Sequence, residues 1–220
     1  MVFLDDVVYE GTKQIALGKA KRSPMLIELS DWFIRTYSVK ILNIQFSKLK
    51  IPNTKRYRLD VIIENTEDYQ KMYVQALEPN EAYQQQIAAE FQQLALKYHF
   101  ASKRQLKDIF VIYNDFSEEA KTEANWKAIK EIKQFITIKY PYVWDVIAIF
   151  SNSVVFYYSD QDIVTYENNG SSKMIEDDYY SILKAYDVLD YFTRENINLK
   201  FDSKENLDKN YGGNLFYYTR

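Results

Sequence analysis

The sequence predicts an α+β fold, a mostly antiparallel sheet with about four amphipathic helices packed on one face, in a single domain spanning residues 1–220. Three observations predict it. The hydrophobic period switches repeatedly between two and three-to-four along the chain. A composition of 47% hydrophobic, 27% charged and 16% aromatic residues belongs to globular chains and not to disordered or coiled-coil ones. The order strand pair, helix, strand, helix, strand triplet, helix, strand pair lacks the strict alternation that a doubly wound parallel sheet requires.

Residues 1–22 carry no clear period and read as a flexible or peripheral N-terminal segment. Ser23-Pro24 then marks a helix start, because serine accepts from unpaired N–H groups while proline at the first helical position gives up nothing. Leu26, Leu29, Phe33 and Tyr37 form its buried stripe. From Val39 the period becomes two, with Ile41, Leu42, Ile44 and Phe46 in a β-prone run ending before a turn at Ile51-Pro52-Asn53-Thr54. Tyr57, Leu59, Val61 and Ile63 alternate with Arg58, Asp60 and Glu64 as a half-buried strand, which completes a hairpin.

Pro79-Asn80 opens a second helix whose face is Tyr83, Ile87, Phe91, Leu94 and Tyr98. Leu106 to Tyr113 reads as a strand ended by Asn114-Asp115, and a helix follows from Thr122 with the stripe Trp126, Ile129, Ile132, Ile136 and Tyr140, stopped by Pro141. Val143 to Phe150, Val154 to Tyr158 and Ile163 to Tyr166 read as a three-strand meander across turn clusters. After the loop Asn168 to Ser172, the helix carrying Ile175, Tyr179, Ile182, Tyr186 and Leu189 begins with acids where the macrodipole favours them. Ile197 to Phe201 and Leu215 to Tyr218 read as final strands. The hairpins of residues 44–64 and 146–167 echo each other, each with a Phe-Ser dipeptide, Phe46-Ser47 and Phe150-Ser151.

The chemistry is bounded by what the chain lacks. With no cysteine it has no disulfide, thiolate nucleophile or cysteine-held metal. Five glycines, at 11, 18, 170, 212 and 213, cannot assemble a dinucleotide fingerprint. Gly11 to Gly18-Lys19 has six intervening residues and Ala20 where a phosphate loop needs four and a hydroxyl. His99, the sole histidine, reads as a helix-end residue. Residues 1–10 do not resemble a signal peptide, and no run approaches the roughly 20 apolar residues of a membrane span. A net charge of −3 supplies no global positive field, so nucleic acid is not the expected partner. Lys13, Lys19, Lys21 and Arg22 read as the one locally basic stretch. The cytoplasm is the expected location, with no membrane association.

Two constellations remain. Asp60, Glu64 and Asp115 are candidate catalytic carboxylates for a divalent-cation site. Asp60 and Glu64 alone, four apart on a strand, are about 13 Å from each other and need the third ligand to converge with them. A solvated strand face beside Arg58 is the simpler reading, and no resident cofactor or metal is expected. The second constellation is tyrosine. The chain has 20 of them, and in pairs such as Tyr157-Tyr158 and Tyr217-Tyr218 one ring must turn outward if the pair lies on a strand. Outward rings are interface material, so these four are the interface candidates. An AT-rich coding sequence is the plainer account of the tyrosines.

The expectation is a non-enzymatic protein-interaction module of regulatory, inhibitor-like or immunity-like kind, with another protein as partner. The alternative is a divalent-cation-dependent hydrolase, a nuclease or phosphoesterase, using the strand carboxylates. A third reading is single-stranded nucleic-acid binding through exposed tyrosines, which requires a basic groove beside the rings.

Overall fold

The computed structural model describes residues 6–49, 56–76 and 78–220, and it is an α+β fold. The chain divides into two compact units, Met1–Glu118 and Glu119–Arg220.

The first unit begins with α1 (Asp6–Ala16) and α2 (Pro24–Tyr37), followed by β1 (Ile41–Lys48), β2 (Tyr57–Ile63) and the short α3 (Thr66–Lys71). A small pair, β3 (Tyr73–Gln75) with β4 (Glu78–Pro79), leads to α4 (Glu81–Lys97) and β5 (Ile109–Asp115). Ser23 caps α2 by accepting from the Leu26 N–H, with Pro24 at its start, as the sequence implies. The sheet order is β1-β2-β5, antiparallel in the first pair and parallel in the second. Leu59, Val61, Ile63, Val111 and Tyr113 form one face with Ile41, and α2 and α4 cover it with Leu26, Leu29, Phe33, Ile87, Phe91 and Leu94. α1 is tied to β1 by Asn43 Nδ2, which donates to Thr12 Oγ1 at 3.0 Å.

Helix α5 (Phe116–Ile132) contains the division between the units. The second unit continues with α6 (Ile136–Lys139), β6 (Val143–Ile149), β7 (Asn152–Tyr157), α7 (Asp160–Asn168), α8 (Ser171–Tyr186), β8 (Leu199–Ser203), α9 (Lys204–Tyr211) and α10 (Leu215–Tyr218). Its sheet runs β6-β7-β8, again antiparallel then parallel. Val146, Val155 and Tyr157 face Ile129, Ile132, Ile175, Tyr179 and Leu183. Val154 and Phe156, on the opposite face, pack against Leu207 with Tyr211, Leu215 and Tyr218.

The two units repeat one plan down to local irregularities. Each hairpin carries a register shift at its start, between Ile41 and Asn43 and between Val143 and Asp145. After each shift the side chain accepts from the next backbone N–H, Ile44 to Asn43 Oδ1 at 2.9 Å and Val146 to Asp145 Oδ1 at 2.8 Å. Asn65 and Ser159 cap the following helices by accepting from the N–H of Asp68 and Asp162. The Ser117 N–H donates to the Glu64 carbonyl at 3.1 Å, and that of Glu205 to Tyr158 at 3.2 Å. The echo between the hairpins is therefore structural, but the Phe-Ser dipeptides do not correspond. Phe46 pairs with Leu59, and the residue at its place in the second unit is Ala148, paired with Ser153.

Several expected elements differ. In place of one mostly antiparallel sheet, the described residues form two three-stranded mixed sheets and a two-stranded pair. Ile163 to Tyr166 is not a strand but part of α7, because the Ser159–Asp162 capping box starts a helix that overrides the β-propensity of Ile-Val-Thr-Tyr. Leu215 to Tyr218 is the helix α10, started by Asn214 accepting from Phe216, with Leu215 and Tyr218 one turn apart against the same apolar face. Residues 6–16 are helical, with Tyr9 and Thr12 buried. The turn expected at Ile51 to Thr54 lies outside the described residues.

Candidate functional site

The three candidate carboxylates are each held by different partners. Asp60 is 2% exposed; Arg58 Nε donates to its Oδ2 at 2.8 Å and Asn114 Nδ2 to its Oδ1 at 3.4 Å. Burial pushes this carboxyl above the ordinary aspartate value, against the opposing pull of the Arg58 guanidinium. Glu64 lies just beyond β2 and pairs with Lys40 at 2.6 Å. Asp115 closes β5, accepting from Thr66 Oγ1 at 2.6 Å, Ser117 Oγ at 2.8 Å and the Glu118 N–H at 3.1 Å. It thereby caps α5 and staples it to α3. Asp115 serves a helix cap, Glu64 a partly exposed ion pair and Asp60 a buried charge pair. Among the described residues no group of three or more His, Asp or Glu side chains is arranged to hold a metal ion.

A buried polar centre that sequence reasoning missed is Asn125, fully enclosed in the second unit. Its Nδ2 donates to the carbonyls of Phe150 at 2.8 Å and Asn152 at 2.7 Å. Its Oδ1 accepts from Ser153 Oγ at 2.8 Å and Tyr179 Oη at 2.9 Å. All four hydrogen-bonding capacities of the amide are used, which makes it a lock on the β6–β7 turn and not a reactive group. Asn125 falls on the buried stripe of α5, and a lone asparagine among apolar helical positions is the signal that marks it.

The tyrosine pairs behave as alternation requires in one case and by a different route in the other. Tyr157 is fully buried, stacked on Phe201 at 5.6 Å with Oη 2.7 Å from Ser172 Oγ, and burial raises its hydroxyl to about 12. Tyr158, next along, is 53% exposed. Tyr218 sits edge-on to Phe156 at 5.1 Å and donates to Asp202 at 2.6 Å, whereas Tyr217 is 57% exposed. In both pairs the inner ring is bolted to the core and the outer ring is presented to solvent. For Tyr217 the helix α10 does this, with Phe216 beside it under the Arg220 guanidinium, 4.0 Å from the ring centroid.

A third surface was hidden by the overall charge. Residues 45–59 contain Lys48, Lys50, Lys55, Arg56 and Arg58 with no acid, and residues 97–107 contain Lys97, Lys103, Arg104 and Lys107 with no acid. The basic stretch at residues 13–22 is therefore one of three. The fold joins the other two, because Lys48 pairs with Tyr57 across the hairpin and Tyr57 pairs with Ile109 in β5. Lys50 and Lys55 lie outside the described residues. His99, just beyond α4, is exposed with a left-handed backbone, φ 54°.

Compared with protein-family models and with curated proteins, the chain matches none.

Proposed function

We propose that the protein is a non-enzymatic interaction module whose partner is another protein, with Tyr158, Tyr217 and Phe216 among its contact residues. The observation that supports this reading is the anchored presentation of the outer tyrosines. Each neighbours a ring fixed by core packing and a hydrogen bond, so little backbone freedom remains to be lost on binding. Rigid, amphipathic rings of this kind dominate interface energetics. The acids that a hydrolase would need are engaged in caps, in an ion pair and in a buried pair, which favours binding over catalysis.

The test places a photo-crosslinking phenylalanine analogue at position 217 or 158 of the full chain in its native host, with the exposed, solvated position 127 as control. A discrete adduct at 217 or 158 and none at 127 is expected. The adducted protein, once purified, should bind the chain and lose that binding with Tyr217→Ala. No discrete adduct, or binding indifferent to Tyr217, overturns the reading. Interaction modules of the regulatory, inhibitor-like and immunity-like kinds remain within this proposal, and a cytoplasmic site of action is its natural setting.

A further inference from the structure

The basic end of the first unit carries a surface that protein binding does not account for. There β1 ends, β2 and β5 begin, and α4 finishes at Lys97. Phe46 stacks on Tyr57 at 5.1 Å and lies 6.3 Å from Phe100, which itself lies 6.1 Å from Phe91. This ring cluster fixes the segment after α4 against the hairpin. The described cations of both stretches are thereby gathered at one end of the first unit. Three of them are committed, Lys97 to Glu28, Arg56 to Asp108 and Arg58 to Asp60. Lys48, Lys103, Arg104 and Lys107 are exposed and form no salt bridge among the described residues. Two rings are open at the same end of the sheet, Phe100 on the helix-covered face and Phe110 on the other. Phe100 is 51% exposed, and Phe110, beneath the Arg56 guanidinium at 5.7 Å, is 42% exposed.

We infer that this end of the first unit binds single-stranded nucleic acid, with Lys48, Lys103, Arg104 and Lys107 contacting phosphates and Phe100 and Phe110 stacking bases. Uncommitted cations and half-open phenylalanines at one end of the sheet are the two parts of such a surface. A duplex hides its bases from the rings, whereas a single strand offers phosphates and open bases together. The protein's net charge of −3 does not oppose this. Contacts are screened within about 8–10 Å at ordinary salt, so the local field decides. The inference goes beyond the protein-binding proposal and does not depend on it, because it uses other residues on the other unit.

The experiment is fluorescence anisotropy of a dye-labelled 12-nucleotide single strand with the full chain, from 50 to 300 mM salt. Arms with duplex DNA, a polyglutamate peptide and anionic phosphatidylserine vesicles run beside it. Saturable binding is expected to weaken steeply with salt. The triple variant Lys103→Ala, Arg104→Ala and Lys107→Ala, all at exposed positions, should reduce the log–log salt slope by about 2. Phe110→Ala should weaken single-strand binding roughly tenfold while leaving any polyglutamate binding unchanged. Circular dichroism and melting of each variant separate lost binding from lost folding. Absence of binding at 50 mM salt overturns the inference. So does an unchanged slope in the triple variant, or polyglutamate or vesicles binding as tightly as the oligonucleotide.

Discussion

Thr66 and Asp115 are joined by a 2.6 Å hydrogen bond at the carboxyl ends of the parallel strands β2 and β5, and the second unit makes the same link with donor and acceptor exchanged. There the Ser203 hydroxyl, at the end of β8, donates to the carboxylate of Asp160, the first residue of α7. Thr66 follows the cap Asn65 as Asp160 follows the cap Ser159, so each residue occupies its counterpart's position. The outgoing helices are capped equivalently as well, by Asp115 accepting from Glu118 and Ser203 accepting from Asn206 at 2.8 Å. A hydroxyl–carboxylate pair tying two helix starts together is part of the repeated plan, and either order of residues satisfies it.

That exchange predicts a rescue. Asp115→Ala removes a helix cap and a charge-assisted hydrogen bond, for a loss of about 2–3 kcal/mol in urea denaturation. The double variant Thr66→Asp with Asp115→Ser installs the second unit's arrangement in the first. Its stability should come within about 1 kcal/mol of the unmodified protein. A double variant no more stable than Asp115→Ala would show that the two links are not equivalent.

Asn125 should be among the least replaceable residues of the second unit. Truncation to alanine strips partners from two carbonyls and two hydroxyls in a fully buried site, and each orphaned group costs about 1–3 kcal/mol less whatever water recovers. The expected loss is about 3 kcal/mol or more. Asn125→Asp, nearly isosteric, should do no better, because it turns the donating edge that faces the Phe150 and Asn152 carbonyls into a second acceptor. Chemical denaturation of the two variants decides it, and an aspartate variant of unchanged stability would contradict the donor assignment.

Tyr113 makes the opposite case. Its hydroxyl is buried with no hydrogen-bond partner among the described residues, its ring meeting Tyr73 edge-on at 5.8 Å. Burial accordingly raises its ionisation well above the usual phenol value. Tyr113→Phe removes an unsatisfied oxygen and leaves the ring packing in place, so it should be neutral or stabilising by up to about 1 kcal/mol. A thermal melt showing substantial destabilisation would reveal a partner for that oxygen.

The elements most legible in the sequence were those whose local chemistry and tertiary burial agree. The Ser23-Pro24 start, the stripes of α2 and α4, and the β1–β2 hairpin each satisfy cap, period and core at once. Ile163 to Tyr166 and Leu215 to Tyr218 were illegible because four β-prone residues cannot outvote a cap and an apolar face one turn apart. The parallel pairing of β2 with β5, 52 residues apart at Leu59 and Val111, leaves no local trace. Pairing is also what gathers the basic end, whose cations are separated along the chain and so leave no single dense run in the sequence. Asp60 looked like a solvated strand residue because alternation fixes its face but not whether that face is covered.

The burial of Asp60 gives the protein a pH dependence with a definite sign. Its carboxyl is raised in the folded state, chiefly by desolvation, so the folded protein keeps this proton to higher pH than the unfolded chain, whose aspartates titrate near 3.9. At this site stability is therefore greatest at acid pH and falls as pH rises through the raised folded value. Arg58 limits the fall by favouring the charged form. Arg58→Ala should cost about 2 kcal/mol at pH 7, below the usual toll for breaking a buried pair because Arg58 is partly exposed. As pH falls and Asp60 takes up its proton the counter-charge is no longer needed, so the loss should be smaller at pH 4 than at pH 7. In an Asp60→Asn background, Arg58→Ala should have a small effect at both pH values. Urea denaturation of the four proteins at pH 4 and pH 7 measures this directly. Equal losses for Arg58→Ala at the two pH values would mean that the guanidinium acts by packing, not by offsetting a buried charge.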